Sequence, residues 1–235
     1  MKKALSFTRV IAIINQKGGV GKSTIAVNLS YVLNQLGRRV LVIDMDSQMH
    51  ATDHLGVNED DTLNRSIYDL FHSDKEHPSR FVIKTAFGVD LIPSNISLAT
   101  AESELVTVTG REFLLKKRIE PLVDAYDYII IDSSPSLGNL AYNVIVASNE
   151  IFIPTNLARF SALGLTQLLD TVSVVINSLG QFGVDTAVTG VIANQYDART
   201  TSAAVYYELL QKRFGEDIVF KSYIPQNKAI ENASD

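Results

Sequence analysis

The chain contains no cysteine and no long apolar run, and each absence excludes a class of protein. Without cysteine there is no disulfide framework and no iron–sulfur or zinc site with cysteine ligands, which is compatible with a reducing cytoplasm. No stretch approaches the ~20 consecutive apolar residues that a membrane-spanning helix needs. Arg9 interrupts the amino-terminal segment MKKALSFTRVIAII, which leads straight into a glycine-rich loop. We therefore interpret this segment as a first strand and not as a signal peptide.

Positive charge is also scarce. The 21 lysines and arginines face 26 acidic residues, which gives a formal net charge of −5 at pH 7. The whole molecule offers no general attraction for nucleic acid, so any contact with DNA must use a local basic patch. At 235 residues, 46% of them hydrophobic, the chain can bury a sizeable core. We expect one domain over residues 1–235, with no room before Lys17 for an N-terminal helix-turn-helix domain.

The pattern of apolar runs predicts an α/β fold with a doubly wound, mostly parallel sheet flanked by helices. A β-branched run at Val10–Ile14 precedes the glycine loop, a helical pattern at 23–36 and a second run at Val40–Ile43. This order makes a βαβ unit, which implies parallel strands with a right-handed crossover. Further strands are predicted at 89–92, 128–132, 150–153, 187–193 and 218–223, and further helices at 62–71, 96–106, 111–125, 162–178 and 201–214.

Residues 15–24 read NQKGGVGKST and end in the phosphate-loop pattern G-x-x-x-x-G-K-[ST]. Glycines let the backbone turn its N–H groups towards an anion, and the N-terminus of the following helix adds a favourable dipole. Lys22 is expected to reach the β and γ phosphates of a nucleotide, and the Ser23 hydroxyl to bind Mg²⁺. A glycine-rich turn without a ligand is the alternative, which the flanking strand and helix disfavour. The predicted nucleotide-binding residues here are Gly18, Gly19, Val20, Gly21, Lys22, Ser23 and Thr24.

Two positions depart from the general loop pattern. Gln16 stands where the first glycine is expected, but this position lies at the strand exit and the phosphate-facing glycines remain. Lys17 adds a cation at the mouth of the loop. It is either a solvated surface charge or a ligand of a nucleotide phosphate, in its own subunit or in a facing one.

The segment KGGVGKST resembles the deviant Walker A motif of the ParA/MinD family, and a similarity to ParA/Soj-type partition ATPases covers nearly the whole chain. The resemblance implies an ATP-dependent homodimer in which Lys17 crosses the interface to the ATP of the partner. DMDSQMHATDHLG is similar to the family's D-x-D-P-Q-x-N-A-T segment, with Ser47 and His50 replacing proline and asparagine. This similarity implies that Asp46 orients the hydrolytic water and that Asp44 lies near Mg²⁺. The alternative that Asp44 and Asp46 only end a strand in a polar loop, without a role in catalysis, stays open.

Two later segments also resemble the family. YIIIDSSPSLG is similar to its Walker B segment, hhhhD-x-x-P-S-L-G, in which Asp132 would hold Mg²⁺ through water. An acid at the carboxyl end of a strand is well placed for this, because ligands of open α/β sheets gather there. VIANQYDART resembles the segment that contacts adenine, and the Asn194 amide offers the donor and acceptor needed to read a base. A turn-capping role for Asn194 is the open alternative.

The resemblance implies a slow ATPase with ATP and Mg²⁺ as cofactors and Lys17, Lys22 and Asp46 as catalytic residues. A ParB-like partner would stimulate it, and its ATP dimer would bind nonspecific double-stranded DNA and segregate a plasmid or chromosome. We expect a cytoplasmic, nucleoid-associated protein without membrane contact. The expected DNA-binding residues are Arg199, Lys212, Arg213, Lys221 and Lys228. Gln226 and Ala229 replace arginines common in the family, which predicts a weaker patch, and a solvated-helix reading of Lys212 and Arg213 stays open.

Two other functions remain as alternatives. A ParA-like protein can position a protein cargo, such as a chemoreceptor array or a carboxysome, and the cargo is specified by the partner. A MinD-like, membrane-associated ATPase requires a basic amphipathic helix, whereas the tail at 229–235 is acidic and poor in apolar residues.

Overall fold

The computed structural model describes residues 7–156, 162–197 and 199–227. Its strands are β1 (Arg9–Ile13), β2 (Val40–Met45), β3 (Ile83–Lys84), β4 (Asp90–Ile92), β5 (Tyr128–Ser133), β6 (Glu150–Asn156) and β7 (Ala187–Asn194). Its α-helices are α1 (Lys22–Gln35), α2 (His50–His54), α3 (Ile67–His72), α4 (Leu98–Glu104), α5 (Leu114–Ile119), α6 (Asn139–Ala147), α7 (Ala162–Leu179) and α8 (Thr201–Phe214).

The seven strands form one sheet in the order β3-β4-β2-β5-β1-β6-β7. All neighbouring pairs are parallel except β3 and β4, which are antiparallel. β1 lies in the interior between β5 and β6, and β2 lies on the far side of β5. This order confirms the predicted doubly wound, mostly parallel fold. The carboxyl ends of β1, β2 and β5 therefore lie side by side, where ligands of open α/β sheets usually bind.

Apolar side chains project from both faces of the sheet into two hydrophobic cores. Along β2, Leu41 and Ile43 enter one core while Val40 and Val42 enter the other, as the two-residue period of a strand requires. Residues of α1 and α2 cover the second core, and residues of α3 to α8 cover the first. Burial on both faces explains why the central strands are continuous apolar runs without polar alternation.

Helices α2 and α6 and strand β3 are absent from the sequence-based prediction. Helix α2 has five residues, which is too short to show a helical period. Seven of the nine residues of α6 are buried, including residues on all sides, so its sequence NLAYNVIVA shows no polar face with helical period. β3 has two residues and pairs only at the sheet edge, which is too short for a pattern to appear.

Three predicted elements are wrong in extent or type. The helix expected at 62–71 begins only at Ile67, where Ser66 caps it. The expected long helix at 111–125 is divided into a 3-10 turn, the six-residue α5 and a second 3-10 stretch at Glu120–Ala125, because Pro121 cannot continue an α-helix. The expected strand at 218–223 is only an irregular segment beside β7, with an isolated bridge at Val219. The Phe220 ring packs over Gly190 and against Phe152, with 5.2 Å between the ring centroids, and the chain then bends.

Candidate functional site

The glycine loop leaves the carboxyl end of β1 and turns into α1 at Gly21. Gly19 and Gly21 have φ angles of 68° and 86°, in the left-handed region that favours glycine, and Gly21 is the N-cap of α1. Val20 is buried between them and anchors the loop in the core. The loop therefore presents backbone and the positive end of a helix dipole at its mouth, as predicted for an anion site.

Asn15 fixes the start of this loop. Its side-chain amide donates to the Pro154 carbonyl on β6 at 2.6 Å, and its Oδ1 accepts the Lys17 backbone N–H at 3.0 Å. The side chain of Lys17 is on the exposed side of the loop. Sequence reasoning assigned no role to Asn15, although an asparagine ahead of a turn is a recognisable signal for such a contact.

Lys22, the first residue of α1, lies in the interior beside two acids. It is 7% exposed, and burial lowers the pKa of its ammonium group while the charges of Asp132 and Asp46 oppose that shift. The structure thus brings together three of the predicted site residues from separate parts of the sequence. Ser23 and Thr24 follow, half-buried, in the first turn of the helix.

Asp132 lies near the end of β5 and is the most unusual acid in the site. It is fully buried, and neither carboxylate oxygen has a hydrogen-bond donor among the residues that the structure describes. Burial, followed by the charge of Asp44, raises the pKa of Asp132 well above its ordinary value, and the Ser23 hydroxyl and Lys22 oppose the rise. Ser23 faces this carboxylate without meeting hydrogen-bond geometry. Buried polar groups normally have partners, so this orphaned carboxylate fits a cation ligand.

The protein part of this site is sparse. No group of three or more His, Cys, Asp or Glu side chains is arranged around a metal position within residues 7–156, 162–197 and 199–227. One carboxylate and one serine hydroxyl leave most coordination positions to water or phosphate oxygens, which matches the way that Mg²⁺ is usually held. The residues present therefore fit magnesium better than a metal that needs an all-protein cage.

Asp44 is the register partner of Asp132 on the neighbouring strand β2, but its carboxylate is already engaged. It accepts the Thr52 N–H at 2.9 Å, the Thr52 hydroxyl at 2.7 Å and the Asp46 N–H at 3.0 Å. Burial is the main reason that the pKa of Asp44 is raised to about 6. The expectation that Asp44 lies near the metal site agrees with its register, but these contacts make it a support for α2 and Asp46.

Asp46 follows β2 directly and is 6% exposed. Besides its N–H bond to Asp44, its Oδ1 accepts the Gln48 N–H at 3.1 Å and its carbonyl accepts the Met49 N–H at 3.0 Å. These contacts form a tight turn that holds the carboxyl group on the same side as Lys22. Thr52 is the threonine of the family's D-x-D-P-Q-x-N-A-T segment, but the sequence does not reveal its role, because its bond to Asp44 depends on how α2 folds back.

Asn194 ends β7 and contacts the phosphate loop directly. Its side-chain amide donates to the Val20 carbonyl at 2.7 Å, and a Cβ added at Gly21 would lie 2.4 Å from the same nitrogen. The donor half of the amide is therefore used to hold the loop. Asn194 also lines a cavity beside the loop, and the role of its amide in reading adenine stays a prediction.

That cavity has a volume of about 490 Å³ and is lined mainly by apolar groups. One wall is the face of α1 that carries Ile25 and Leu29, and another is formed by Phe152 and Ile192 of the sheet. The segment at 220–227 closes the third side. An apolar slot that adjoins an anion-binding loop suits a ligand with a flat base at one end and phosphates at the other.

The predicted DNA-binding residues that the structure describes differ in their contacts. Arg199 donates twice to Asp197, at 2.8 Å each, so its charge is locally neutralised. Lys212 and Arg213 are exposed at the end of α8, where Arg213 donates to Thr166 at 3.2 Å. Lys221 is exposed, and Lys228 and Ala229 lie outside the described residues.

Among the helices that the structure describes, none combines the length and the apolar character needed to cross a bilayer.

Comparison with known proteins finds a family match and relatives that are similar over most of the chain. Residues 8–182 match the family described as AAA domain. The sporulation initiation inhibitor protein Soj of Bacillus subtilis is 40% identical, over 96% of this chain and 87% of its own length. The chromosome-partitioning ATPase Soj of Treponema pallidum is 38% identical, over 96% of this chain and 86% of its own length.

A solved structure shares the fold. Cobyrinic acid a,c-diamide synthase from Mycobacterium smegmatis, with bound ATP analog and magnesium, superposes with a TM-score of 0.85 at 33% identity, covering 97% of this chain and 91% of that one. The family match and the sequence identities point to the same family. The residues of the glycine loop and the acids at the ends of β2 and β5, which the structure brings together, agree with that family. The chain belongs to the AAA-domain family and, within it, to the ParA/Soj type of partition ATPase.

Proposed function

We propose that this chain binds ATP with Mg²⁺ and hydrolyses it, and that the whole chain acts as one ATPase domain. The observation that carries the proposal is the buried Asp132 carboxylate, which accepts no hydrogen bond from the described residues and lies close enough to Lys22, at the start of α1, for its charge to oppose the fall in the pKa of Lys22. An acid held in this state costs folding stability, so a bound cation is the simplest reason for its presence. The ATP analog and magnesium in the related Mycobacterium smegmatis structure support the same assignment.

Each residue has a distinct task in this proposal. Loop amides and the Lys22 ammonium hold the β and γ phosphates, Ser23 and Asp132 hold the cation, and the apolar cavity takes the base. Mg²⁺ would neutralise charge that develops on the phosphates. Asp46, fixed by the turn at β2, orients the attacking water. Asp44 acts through Asp46 and α2, because its carboxylate is occupied by their N–H groups and by Thr52.

The product of this reaction is a change of association state. Lys17 is on the exposed side of the loop, where its ammonium can reach a phosphate bound by a facing copy of the chain. ATP then favours a homodimer, and hydrolysis releases it. We expect Lys17→Ala to bind ATP as a monomer, whereas the wild-type protein dimerises with ATP in analytical ultracentrifugation. Lys75→Ala, at an exposed lysine after α3, is the matched control.

The cargo we propose is DNA. The ATP dimer binds double-stranded DNA without sequence preference, associates with the nucleoid in the cytoplasm, and releases DNA when a ParB-like partner accelerates its slow hydrolysis. The name of the Treponema pallidum relative, a chromosome-partitioning ATPase, supports this choice. Among the predicted DNA contacts, Lys212, Arg213 and Lys221 are exposed and supply positive charge, with Lys228 as a further proposed contact.

A second candidate is the positioning of a protein cargo with DNA only as a weak track. Its support is electrostatic, because Asp197 neutralises Arg199 and the chain carries a net charge of −5. The two candidates differ in the affinity for DNA and in the partner, but not in the nucleotide site.

The deciding experiment measures binding to random-sequence duplex DNA with ATP, ADP or no nucleotide across a salt series, together with phosphate release. We expect binding with ATP only, with the logarithm of affinity falling by about 0.9 per phosphate contact for each unit of log salt concentration. The variant Lys212→Ala/Arg213→Ala should reduce that slope, and Lys75→Ala should leave it unchanged. Hydrolysis without DNA binding would favour a protein cargo, and absence of hydrolysis would contradict the ATPase itself.

A further inference from the structure

The amino terminus of helix α6 is capped by an acid from another helix. The Glu102 carboxylate on α4 accepts the backbone N–H groups of Asn139 at 2.8 Å and Leu140 at 3.1 Å, one on each oxygen. The Asn139 side-chain amide donates back to the Glu102 carbonyl at 3.0 Å. Three hydrogen bonds thus connect α4 to the first turn of α6.

Gly138 makes this contact possible. It is the N-cap of α6 and has no side chain to cap the helix itself, so Glu102 takes that function from a distance of 36 residues in sequence. A Cβ added at Gly138 would lie 2.5 and 2.6 Å from the two Glu102 carboxylate oxygens. The backbone of Gly138 has φ −92°, which other residues can adopt, so the close approach and not the torsion requires glycine here.

The capped turn is the exit of the loop that follows Asp132. At the entrance, the Ser133 hydroxyl donates to the Ile13 carbonyl on β1 at 2.9 Å. Between the two fixed ends, residues 134–137 form no hydrogen bond with any part of the chain that the structure describes. Within the described chain, hydrogen bonds therefore hold this short loop at Ser133 and, through Glu102, at its exit, while Leu137 packs against the core between them.

Helix α4 is also connected to the turn that carries Asp46. The chain enters α4 from Ser94, whose N–H donates to the Thr52 hydroxyl at 3.0 Å, and that hydroxyl donates to Asp44. Asp44 in turn accepts the Asp46 N–H. The segments that follow β2 and β5 thus share one support, with Glu102 as its contact on the β5 side.

We propose that Glu102 is a positioning residue for ATP hydrolysis, which fixes the loop at 134–138 beside the phosphate site without touching the nucleotide. This role rests on the ATPase activity proposed above. The carboxylate satisfies two helix N–H groups and places a negative charge at the positive end of α6. Removing it frees the loop exit, so the loop spends less time in the position needed for reaction while the glycine loop that binds phosphate remains intact.

The test compares Glu102→Ala, Glu102→Gln and Gly138→Ala with the wild-type protein. A helix cap of this kind protects its amides, so we expect the Asn139 and Leu140 amides of Glu102→Ala to exchange hydrogen about tenfold faster. The value of kcat for ATP should fall by about tenfold and the Kd for ATP should change less than about twofold. Glutamine can accept only one of the two N–H groups, so Glu102→Gln should lie between these limits.

Gly138→Ala displaces the carboxylate without removing it and should reproduce the Glu102→Ala result. Glu104→Gln, on the same helix but paired with His72, is the control and should match the wild type. Unchanged exchange, or faster exchange with unchanged kcat, would overturn the positioning role alone. A wild-type protein that hydrolyses no ATP would overturn the proposed function, and this role with it.

Discussion

The amino and carboxyl ends of the strands hold carboxylates in opposite ways. At the amino ends of the strands, Glu150 receives two contacts from Arg9, at 2.5 and 2.6 Å, and this partner lowers the pKa of the acid. At the carboxyl ends, burial raises the pKa of both Asp44 and Asp132. At the amino ends, a cation of the chain itself pairs with the acid. At the carboxyl ends, burial outweighs the charge of the nearby Lys22, and no hydrogen-bond donor of the described residues reaches Asp132.

This difference separates structural acids from functional ones. A paired acid stabilises the fold, whereas a buried acid without a partner destabilises it and is retained where a ligand supplies the missing charge. Asp44 and Asp132 then differ from each other, since three donors satisfy the first and none satisfies the second in the described part of the chain. Adjacent acids in one register thus have different roles.

The largest effect is expected from Asp132→Asn, which removes the charge at the unpaired position. Phosphate release should fall by about 10³-fold, because the cation loses its carboxylate. The free energy of unfolding without Mg²⁺, measured in urea, should rise by about 1 kcal/mol, because an uncompensated buried charge is gone. Retained hydrolysis with lower stability would place Asp132 among the structural acids instead.

Asp44→Ala should have the opposite result. It removes the acceptor of three hydrogen bonds from a buried position, so the free energy of unfolding should fall by about 3 kcal/mol. The affinity for ATP with Mg²⁺, measured by calorimetry under conditions where the variant is folded, should change little. Thr52→Val, which removes one of the three donors, is the graded control and should cost about 1 kcal/mol. Normal stability with lost magnesium dependence would make Asp44 a metal ligand.

Asn194→Ala distinguishes a loop support from a base reader. Loss of the bond to the Val20 carbonyl loosens the phosphate loop, so affinities for ATP and GTP should both fall by about tenfold. Asn28→Ala is the control, since Asn28 lines the same cavity but its side-chain amide donates to the Thr24 carbonyl within α1 and not to the phosphate loop. A fall for ATP alone would show that the amide reads adenine.

The fold and the phosphate loop were predictable because their signals are local. An apolar run, a glycine loop and a helix with a regular period specify β1, the loop and α1 without knowledge of distant residues. Parallel order then follows from the alternation of strands and helices, and it places the acids that follow β2 and β5 at one edge.

The division of tasks within the site was not predictable, because it depends on contacts between distant segments. Asp44 and Asp132 both end apolar runs and look alike in sequence, but only the return of α2 brings Thr52 to Asp44. Glu102 lies in an ordinary polar stretch, and its function depends on the close approach of Gly138. Helix α6 is buried on all sides, so the period that would reveal it is missing.

The smallest effect is expected at the amino ends of the strands, where Arg9 pairs with Glu150. Arg9 lowers the pKa of Glu150 below 4.5, so the ion pair stabilises the folded state above about pH 4.5, and this stabilisation is lost as the pH falls through the lowered pKa. Glu150→Gln should therefore reduce the free energy of unfolding by about 1 kcal/mol at pH 7 and have no effect well below the lowered pKa of Glu150. Urea denaturation across this pH range measures the difference, with Glu216→Gln at an exposed acid as the control. ATP hydrolysis at pH 7 should not change, because no step of the proposed reaction uses residues at the amino ends of the strands. A loss of hydrolysis would mean that the amino and carboxyl ends are coupled through β1 and β6.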